Sequence, residues 1–528
     1  MFTADRQRLW ADAVAFDGSG ILAVGSVEEV RRLTPNAEEI DVGGRTILPG
    51  FVDAHNHFLA TGESLSSIDV RYPNVASCED LVRAVGSAAH STPVGRWIHA
   101  FGFDHAKYDR TPTRWDLDRA TSRHPVLVYH VSGHHVLVNG AAMEARGLDE
   151  ATPDPPGGEL VRDGNGRLTG LCLDAAMNLI LPVVVDIGSH GPNFHTKAPL
   201  DELIDAVERA GVAFLAVGLT TVCDAQVSQR ELVAYRTALA SGRLRLRTVC
   251  MPLSHQLEEY HSIGLAGPFG DERLRVGAMK LYADGSLIGG TAAFEVPYGE
   301  DGEFHGSLYW QPEELRELVV RAHGDGWQVG IHAQGDRAIG YALDAIEAAL
   351  TTESREHRHR LEHAGYPTRA QIERIARLGV ITVNQPRYLH DSGDEFLARL
   401  GTRAHGLQPL RDELAAGIKV VLSSDSDVAS YHPLEQIASA IERRTRDGAP
   451  IGPDQRLSLE EALLAYTIDA AFTLRLENRI GSLERGKLAD VAVINGDLET
   501  TMPGDLGSLA AWKTFLDGRL VHDAEAAR

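Results

Sequence analysis

Residues 46–57 read Thr-Ile-Leu-Pro-Gly-Phe-Val-Asp-Ala-His-Asn-His, an apolar run that stops at two histidines. Read as a strand, residues i and i+2 share a face, so His55 and His57 offer two imidazoles to one point. Seven further short runs rich in apolar and β-branched residues follow, at 218–225, 244–250, 275–285, 327–335, 359–365, 379–385 and 419–427. Amphipathic helical patterns separate several of them. Over Arg337–Leu350, Ile339, Ala342, Leu343, Ile346, Ala349 and Leu350 make one apolar stripe, with Asp336 where an N-cap belongs. Another helix starts at Ser458-Leu-Glu-Glu461, a capping box. Eight strand–helix units predict an α/β chain whose parallel strands close into a (β/α)8 TIM barrel over residues 49–475.

Working outward, both ends of the chain read as β structure. Ala-Asp-Ala-Val-Ala-Phe at 11–16, a turn, and Ile-Leu-Ala-Val-Gly at 21–25 give a hairpin signal. The tail offers Ala-Asp-Val-Ala-Val-Ile at 489–494, a turn at Asn495-Gly496-Asp497, and a late apolar strand near 514–521. Two terminal β segments pair only if the chain returns to its start. The expectation is one small β-sandwich domain built from residues 1–48 and 476–528. The stretch from about 64 to 200 breaks the alternation, is Pro/Gly-rich in places, and falls after the first barrel strand. It reads as an insertion covering the barrel mouth.

The 528 residues are 43% hydrophobic and 24% charged, ordinary for a soluble globular protein that can bury a large core without a disulfide or zinc staple. The net charge of −23 repels nucleic acid and anionic membrane surfaces and leaves small molecules and metal cations as the natural ligands. Cys78, Cys172, Cys223 and Cys250 show no CxxC spacing, so neither a thiolate zinc site nor a disulfide framework is expected. The first residues contain no signal-peptide-like apolar run, and the longest apolar stretches are too short to span a bilayer. The expected location is cytoplasmic, and a homodimer is the default assembly.

Strand ends carry the chemistry. In a parallel barrel the C-terminal ends of the strands converge on one mouth. That brings His55 and His57 together with His332, His363 and Asp425, each at the end of its own run. A lone strand-terminal His or Asp is more often a satisfied core residue or a helix cap; five ending on one rim are harder to explain that way. Imidazole and carboxylate suit zinc and its first-row neighbours. Four neutral imidazoles and one carboxylate carry too little charge for two close dications. Lys280 lies inside an apolar strand, where an ammonium is costly unless paired. It either supplies the missing anion as a carbamate formed with carbon dioxide, or snorkels to the rim or pairs with Asp284.

These residues and their surrounding words resemble a known family. Pro-Gly-Phe-Val-Asp-Ala-His-Asn-His-Phe at 49–58, PTRWDLD at 112–118, MKLYADGSL at 279–287, IHAQGDRAI at 331–339, LEHAG at 361–365, SSDSDV at 423–428 and GSLERGKLADVAVI at 481–494 are similar to the amidohydrolase superfamily, in the amidohydrolase family 3 branch of formamide deformylase-like metal-dependent hydrolases. The resemblance runs from about residue 10 to 525. It implies a metal-dependent barrel beside a small β-sandwich made from both termini. It implies that His55, His57 and Asp425 bind a first divalent metal ion, zinc being the expected one. His332 and His363 would bind a second, with Lys280, if N6-carboxylated, as bridge; one metal or two stays open. Family members often read Asp-Ala-Pro-Val where this chain reads Asp425-Ser426-Asp427-Val428, which places a second acid beside the catalytic position.

Within the insertion, Ser-Gly-His-His-Val-Leu-Val-Asn at 132–139 resembles the family's His-x4-Asn segment and aligns His134, which is expected to reach substrate. Trp97 and Asp284 are further substrate-contact candidates, against plain packing for the first and turn closure for the second. The expected chemistry is hydrolysis of a non-peptide C–N bond, an amide or formamide, by metal-activated hydroxide with Asp425 as general base and then acid. The alternatives are a same-fold esterase or lactonase, a deaminase, a decarboxylase, a non-catalytic scaffold and a ligand-binding protein. Gly481–Lys487 fits most of a P-loop, but Leu488 follows where a Ser or Thr must hold magnesium, so nucleotide binding is rejected there.

Overall fold

The computed structural model describes residues 1–155, 158–298 and 302–526. Eight parallel strands form its centre: β1 (Phe51–Asn56), β2 (Leu219–Val227), β3 (Arg247–Pro252), β4 (Met279–Tyr282), β5 (Val329–Ala333), β6 (Arg360–His363), β7 (Ile381–Asn384) and β8 (Val420–Leu422). They lie in two five-stranded sheets. In one, β1, β2 and β3 are joined by two short strands, Leu274–Val276 and Phe269–Gly270; in the other, β4 to β8 pair in chain order. Every residue of these eight strands is buried, as expected where both faces of a parallel sheet are covered.

The two sheets meet at both edges. On one side Leu253, after β3, bridges in parallel to Lys280 of β4. On the other, the amide of Asp425 donates to the His55 carbonyl at 2.9 Å and that of His57 to the Ser426 carbonyl at 2.6 Å. Register sets Tyr282 opposite His332 and Ala333 opposite His363, so the C-terminal ends of β4, β5 and β6 finish side by side. The expected helix after β5 spans Asp336–Thr352, and Ile339, Ala342, Leu343, Ile346 and Ala349 of its stripe are buried. Its N-cap is Gly335 and not Asp336; the Asp336 carboxylate instead accepts the Glu295 amide at 2.9 Å. The capping box of Ser458 and Glu461 forms as expected.

The run at 46–55 is two strands, not one. Ile47–Pro49 joins a four-stranded antiparallel sheet with Val491–Ile494, Ala511–Leu516 and Arg519–Asp523, and β1 starts only at Phe51. Gly50 is the pivot: a Cβ there would lie 2.2 Å from Thr220 Oγ1. The late apolar run is likewise split, by a hairpin turn whose central Asp517 and Gly518 both have positive φ. The hairpin Ala13–Asp17/Gly20–Gly25 packs Val14, Phe16, Ile21 and Val24 onto that sheet. The chain ends therefore do meet. Arg247, at the start of β3, locks them to the centre through Asp490, with Nε–Oδ2 2.7 Å and Nη2–Oδ1 3.0 Å, both side chains buried.

Between β1 and β2 the chain builds a separate six-stranded sheet in the order Gly158–Arg162, Leu168–Asp174, His135–Val138, Val126–His130, Ile98–Phe103, Ile68–Asp69. It carries its own apolar clusters, around Leu81, Phe103 and Leu117 on one side and Val136, Met143 and Met177 on the other. The four cysteines are buried and free. Among the described residues no helix is long and apolar enough to cross a membrane.

Candidate active site

The strand ends bring the six expected side chains together. His55 Nε2 and His57 Nε2 lie 3.3 and 3.1 Å from Asp425 Oδ1, and Lys280 Nζ lies 3.5 Å from His55 Nε2. The His363 ring is 4.9 Å from that of His55 and 4.5 Å from that of His332. Ligand atoms of His55, His363 and Asp425 fall within 4.8 Å of one another. All six side chains are buried. His363 and Asp425 both have positive φ, +74° and +53°, a strained backbone at the point where their side chains turn into the cluster.

Neighbouring groups fix which nitrogen three of the four imidazoles present. His55 Nδ1 sits 2.6 Å from Glu362 Oε2, so its Nε2 faces the cluster. Glu362 is itself held by the buried Arg360 guanidinium. His363 Nδ1 contacts Gln385 Oε1 at 2.8 Å, which leaves its Nε2. His332 donates through Nε2 to the Gly285 carbonyl at 3.0 Å, which leaves Nδ1. The Tyr388 hydroxyl donates to Asp425 Oδ2. Asp53 clamps β1 to the segment after β8: its Oδ1 accepts the Ser424 amide at 3.0 Å and its Oδ2 accepts from Asn56 at 3.0 Å.

The electrostatics suit cation binding. Burial pulls His332 and His363 down, the latter to about 3, so both are neutral donors. Burial also pulls on His57, but the adjacent Asp425 carboxylate outweighs it and raises His57. Burial opposes ionisation of Asp425, yet the His55 and His57 imidazoles hold it well below the ordinary carboxylate range. Burial lowers Lys280 to about 8, against the pull of Glu362 and Asp425. Asp425 Oδ1 makes no well-formed hydrogen bond despite two imidazole nitrogens within 3.3 Å. A buried carboxylate oxygen without a well-formed hydrogen bond, faced by the imidazole nitrogens of His55 and His57, fits a divalent ion of zinc's class.

The three substrate-contact candidates separate. His134 Nδ1 is 3.0 Å from Asp174 Oδ1 and its ring is 6.4 Å from that of His332, so it reaches the cluster from the insertion. Trp97 does not. It precedes the strand Ile98–Phe103, whose far end pairs with His130, and it packs on the insertion's own apolar cluster with Arg146 over its ring. Asp284 is buried and turned inward, accepting amides of Gln334 (2.9 Å), Ala293 (2.8 Å) and Gly335 (3.0 Å). It joins the loops after β4 and β5, and its Oδ1 lies 3.6 Å from His332 Nε2. Lys280 does not pair with it; the lysine lies over the Tyr282 ring at 4.6 Å. Asp427, the additional acid, is half-buried beside His57 and Arg71. Glu362, Gln385, Tyr388 and the Glu231–His195 pair (3.0 Å) were not singled out by pattern. The one signal available was Glu362, a charged residue inside an otherwise apolar strand.

A family model described as "Amidohydrolase family" matches residues 38–522. The N-substituted formamide deformylase of Arthrobacter pascens is 31% identical over 99% of this chain and 96% of its own length. The putative amidohydrolase YtcJ of Bacillus subtilis is 30% identical over 97% and 96%. Among solved structures, an uncharacterized metal-dependent hydrolase from Pyrococcus furiosus superposes with a TM-score of 0.72 at 28% identity, over 92% of this chain and 94% of that one. The chain belongs to the amidohydrolase family. It is accordingly a metal-dependent hydrolase acting on carbon–nitrogen bonds other than peptide bonds.

Proposed function

We propose that this chain hydrolyses a small amide, with N-substituted formamides as the first substrate class to test. The eight parallel strands would form a closed (β/α)8 barrel over 49–475, with the insertion at 64–200 over its mouth and a β-sandwich from 1–48 and 476–528 beside it. The observation that carries the reading is Asp425 Oδ1: buried, without a well-formed hydrogen bond, and faced by the Nε2 atoms of His55 and His57. His55, His57 and Asp425 would hold one zinc ion, and His332 and His363 a second, with Lys280 bridging as its carbamate. Bound zinc supplies a water acidified from about 15.7 toward ~7 and an electrophile for the substrate carbonyl.

The protein's own groups divide the remaining work. The Tyr388 hydroxyl donates to Asp425 Oδ2 and so fixes the carboxylate with Oδ1 toward His55 and His57; the Asp425 carboxylate would take a proton from the attacking water and return it to the leaving nitrogen. Glu362 and Gln385 hold the rings of His55 and His363 in one tautomer. Asp174 orients His134, whose Nε2 is then the insertion's polar contact to the substrate. Burial of the whole cluster keeps bulk water out and strengthens each of these interactions.

The test is a panel of N-formyl, N-acyl and cyclic amides beside esters and lactones, run on zinc-loaded protein and on Asp425→Asn. Amide turnover that drops by about 10²–10⁴-fold in Asp425→Asn, with an unchanged circular dichroism spectrum, supports the assignment. Turnover of esters alone, or a near-normal Asp425→Asn rate, refutes it.

A further inference from the structure

The insertion reaches the cluster by a second segment besides the one that carries His134. Residues 191–195, Gly-Pro-Asn-Phe-His, lie as a strap over the ends of β1, β2 and β4. One end is fastened to β4 and β2. A Cβ at Gly191 would lie 2.5 Å from Tyr282 Cδ2, so the backbone there rests on that ring. The Pro192 carbonyl accepts from Gln226 Nε2 at 2.6 Å, and Gln226 Oε1 accepts from the Tyr282 hydroxyl at 2.6 Å. The other end is fastened after β2, where His195 Nδ1 lies 3.0 Å from Glu231 Oε2. Within the insertion, the Val184 amide donates to the His195 carbonyl at 2.8 Å and Asn193 Nδ2 to the Val185 carbonyl at 2.8 Å. Asn193 and His195 are buried, and Phe194 between them is half-buried. The Phe194 ring meets His57 edge to face, with centroids 5.8 Å apart. A Cβ at Gly133, beside His134, would lie 3.2 Å from Phe194 Cζ. The ring therefore touches both an expected metal ligand and the segment that brings His134 in.

We propose that Phe194 determines which acyl group the site accepts, restricting the substituent on the reacting carbonyl carbon to hydrogen or a group little larger. The inference rests on the metal-assisted amide reading above and adds to it the residue that selects the substrate. Metal-assisted attack needs the reacting carbonyl beside the metal ligands. The acyl substituent is bonded directly to that carbon. The substituent of the amine is one bond further away and can leave through the mouth. A ring in contact with His57 bounds the acyl group first.

The fastenings decide that this ring is a wall. Flanking residues tie the strap to Gln226 on one side of Phe194 and to Glu231 on the other, and Gly133 backs the ring. A side chain held so closely yields to a larger ligand only by disturbing its neighbours. One carbon too many in a closed apolar pocket is discriminated against by about 10–200-fold. His134 then supplies the insertion's polar contact and Phe194 its steric one.

The test reads binding and not turnover, with hydroxamates, which chelate a divalent ion through the carbonyl oxygen. One series varies the acyl group: formo-, aceto-, propiono- and benzohydroxamate. A second keeps the formyl group and varies the nitrogen substituent: N-hydroxy-N-methyl-, N-propyl- and N-butylformamide. Both are titrated calorimetrically into zinc-loaded full-length wild type, Phe194→Ala and Phe194→Leu, after zinc per chain has been measured. In wild type, affinity should fall by about tenfold or more from formo- to propionohydroxamate. That fall should vanish in Phe194→Ala and shrink in Phe194→Leu, while the second series keeps its order in all three proteins. Should Phe194→Ala fail to fold, Phe194→Leu carries the comparison. A wild type without an acyl preference, a preference unchanged in the variants, or an equal shift in both series overturns the proposal. Zinc-treated wild type that binds neither series refutes the metal-assisted reading itself, and this proposal with it, whatever the variants do.

Discussion

Replacing Glu362 with Gln removes one negative charge and changes almost no volume. In the folded protein that charge has two partners. Oε2 lies 2.6 Å from His55 Nδ1 and 2.8 Å from Arg360 Nη2, while Oε1 takes the Arg360 Nε–H. All three side chains are buried. Breaking a buried pair from one side costs about 3–5 kcal/mol, because the other charge is left behind. Arg360 keeps the Ala54 carbonyl at 2.6 Å, and the amide oxygen still accepts one bond, so ~3 kcal/mol is expected for the metal-free protein. Zinc affinity should fall separately. Loss of a partner that orients a ligand histidine typically weakens metal binding by about 10–100-fold, or ~1.4–2.8 kcal/mol.

Acid sensitivity should change in step. Burial opposes ionisation of Glu362, but Arg360 and His55 hold it well below the ordinary range. A depressed carboxylate contributes stability that is present above its unfolded pKa, about 4.3, and lost as pH falls below it. Glu362→Gln should flatten that part of the acid limb. Urea unfolding of metal-free protein at pH 7 and pH 4, with zinc competition against a chromophoric chelator, measures both effects. A variant with parental zinc affinity and an unchanged urea midpoint would show that Glu362 neither orients His55 nor balances Arg360.

Three further outcomes follow from the same geometry. Lys280, lowered to about 8 by burial, should be carboxylated in crystals grown near pH 8 with bicarbonate and zinc; plain lysine density beside fully occupied metals refutes the bridge. Glu413 is raised to about 8 by burial, so it stays protonated between its unfolded and folded pKa values while the unfolded chain ionises. Stability should therefore decline as pH rises from about 4.5 to 8, by a few kcal/mol from this group; Glu413→Gln should unfold at higher urea than wild type at pH 8 and near-equally at pH 5, and an unchanged difference across pH refutes the assignment. Asp490→Asn leaves the buried Arg247 with the more exposed Asp517 and the Glu272 carbonyl, which should cost about 3 kcal/mol in urea unfolding and free the terminal sheet to exchange amide hydrogens faster; parental exchange rates in Ala511–Leu516 would contradict that lock.

The sequence, read by periodicity and strand-end chemistry, determined the alternation of strands and helices, the β character of both chain ends and the six clustered side chains. Each of those features is local. A burial pattern repeats every two or 3.6 residues, and the C-terminal ends of parallel strands share one side whatever lies between them. Only the tertiary structure decided the rest. It split the run at 46–55 at Gly50, whose missing Cβ makes room for Thr220, a residue 170 positions away. It turned Asp284 inward to backbone amides and set Trp97 at the wrong end of its strand for the site. It supplied Glu362 to His55 across 307 residues and Tyr388 to Asp425. Contacts of that kind depend on register and closure between distant strands, and no short-range pattern in a single chain encodes which buried donor will face which acceptor.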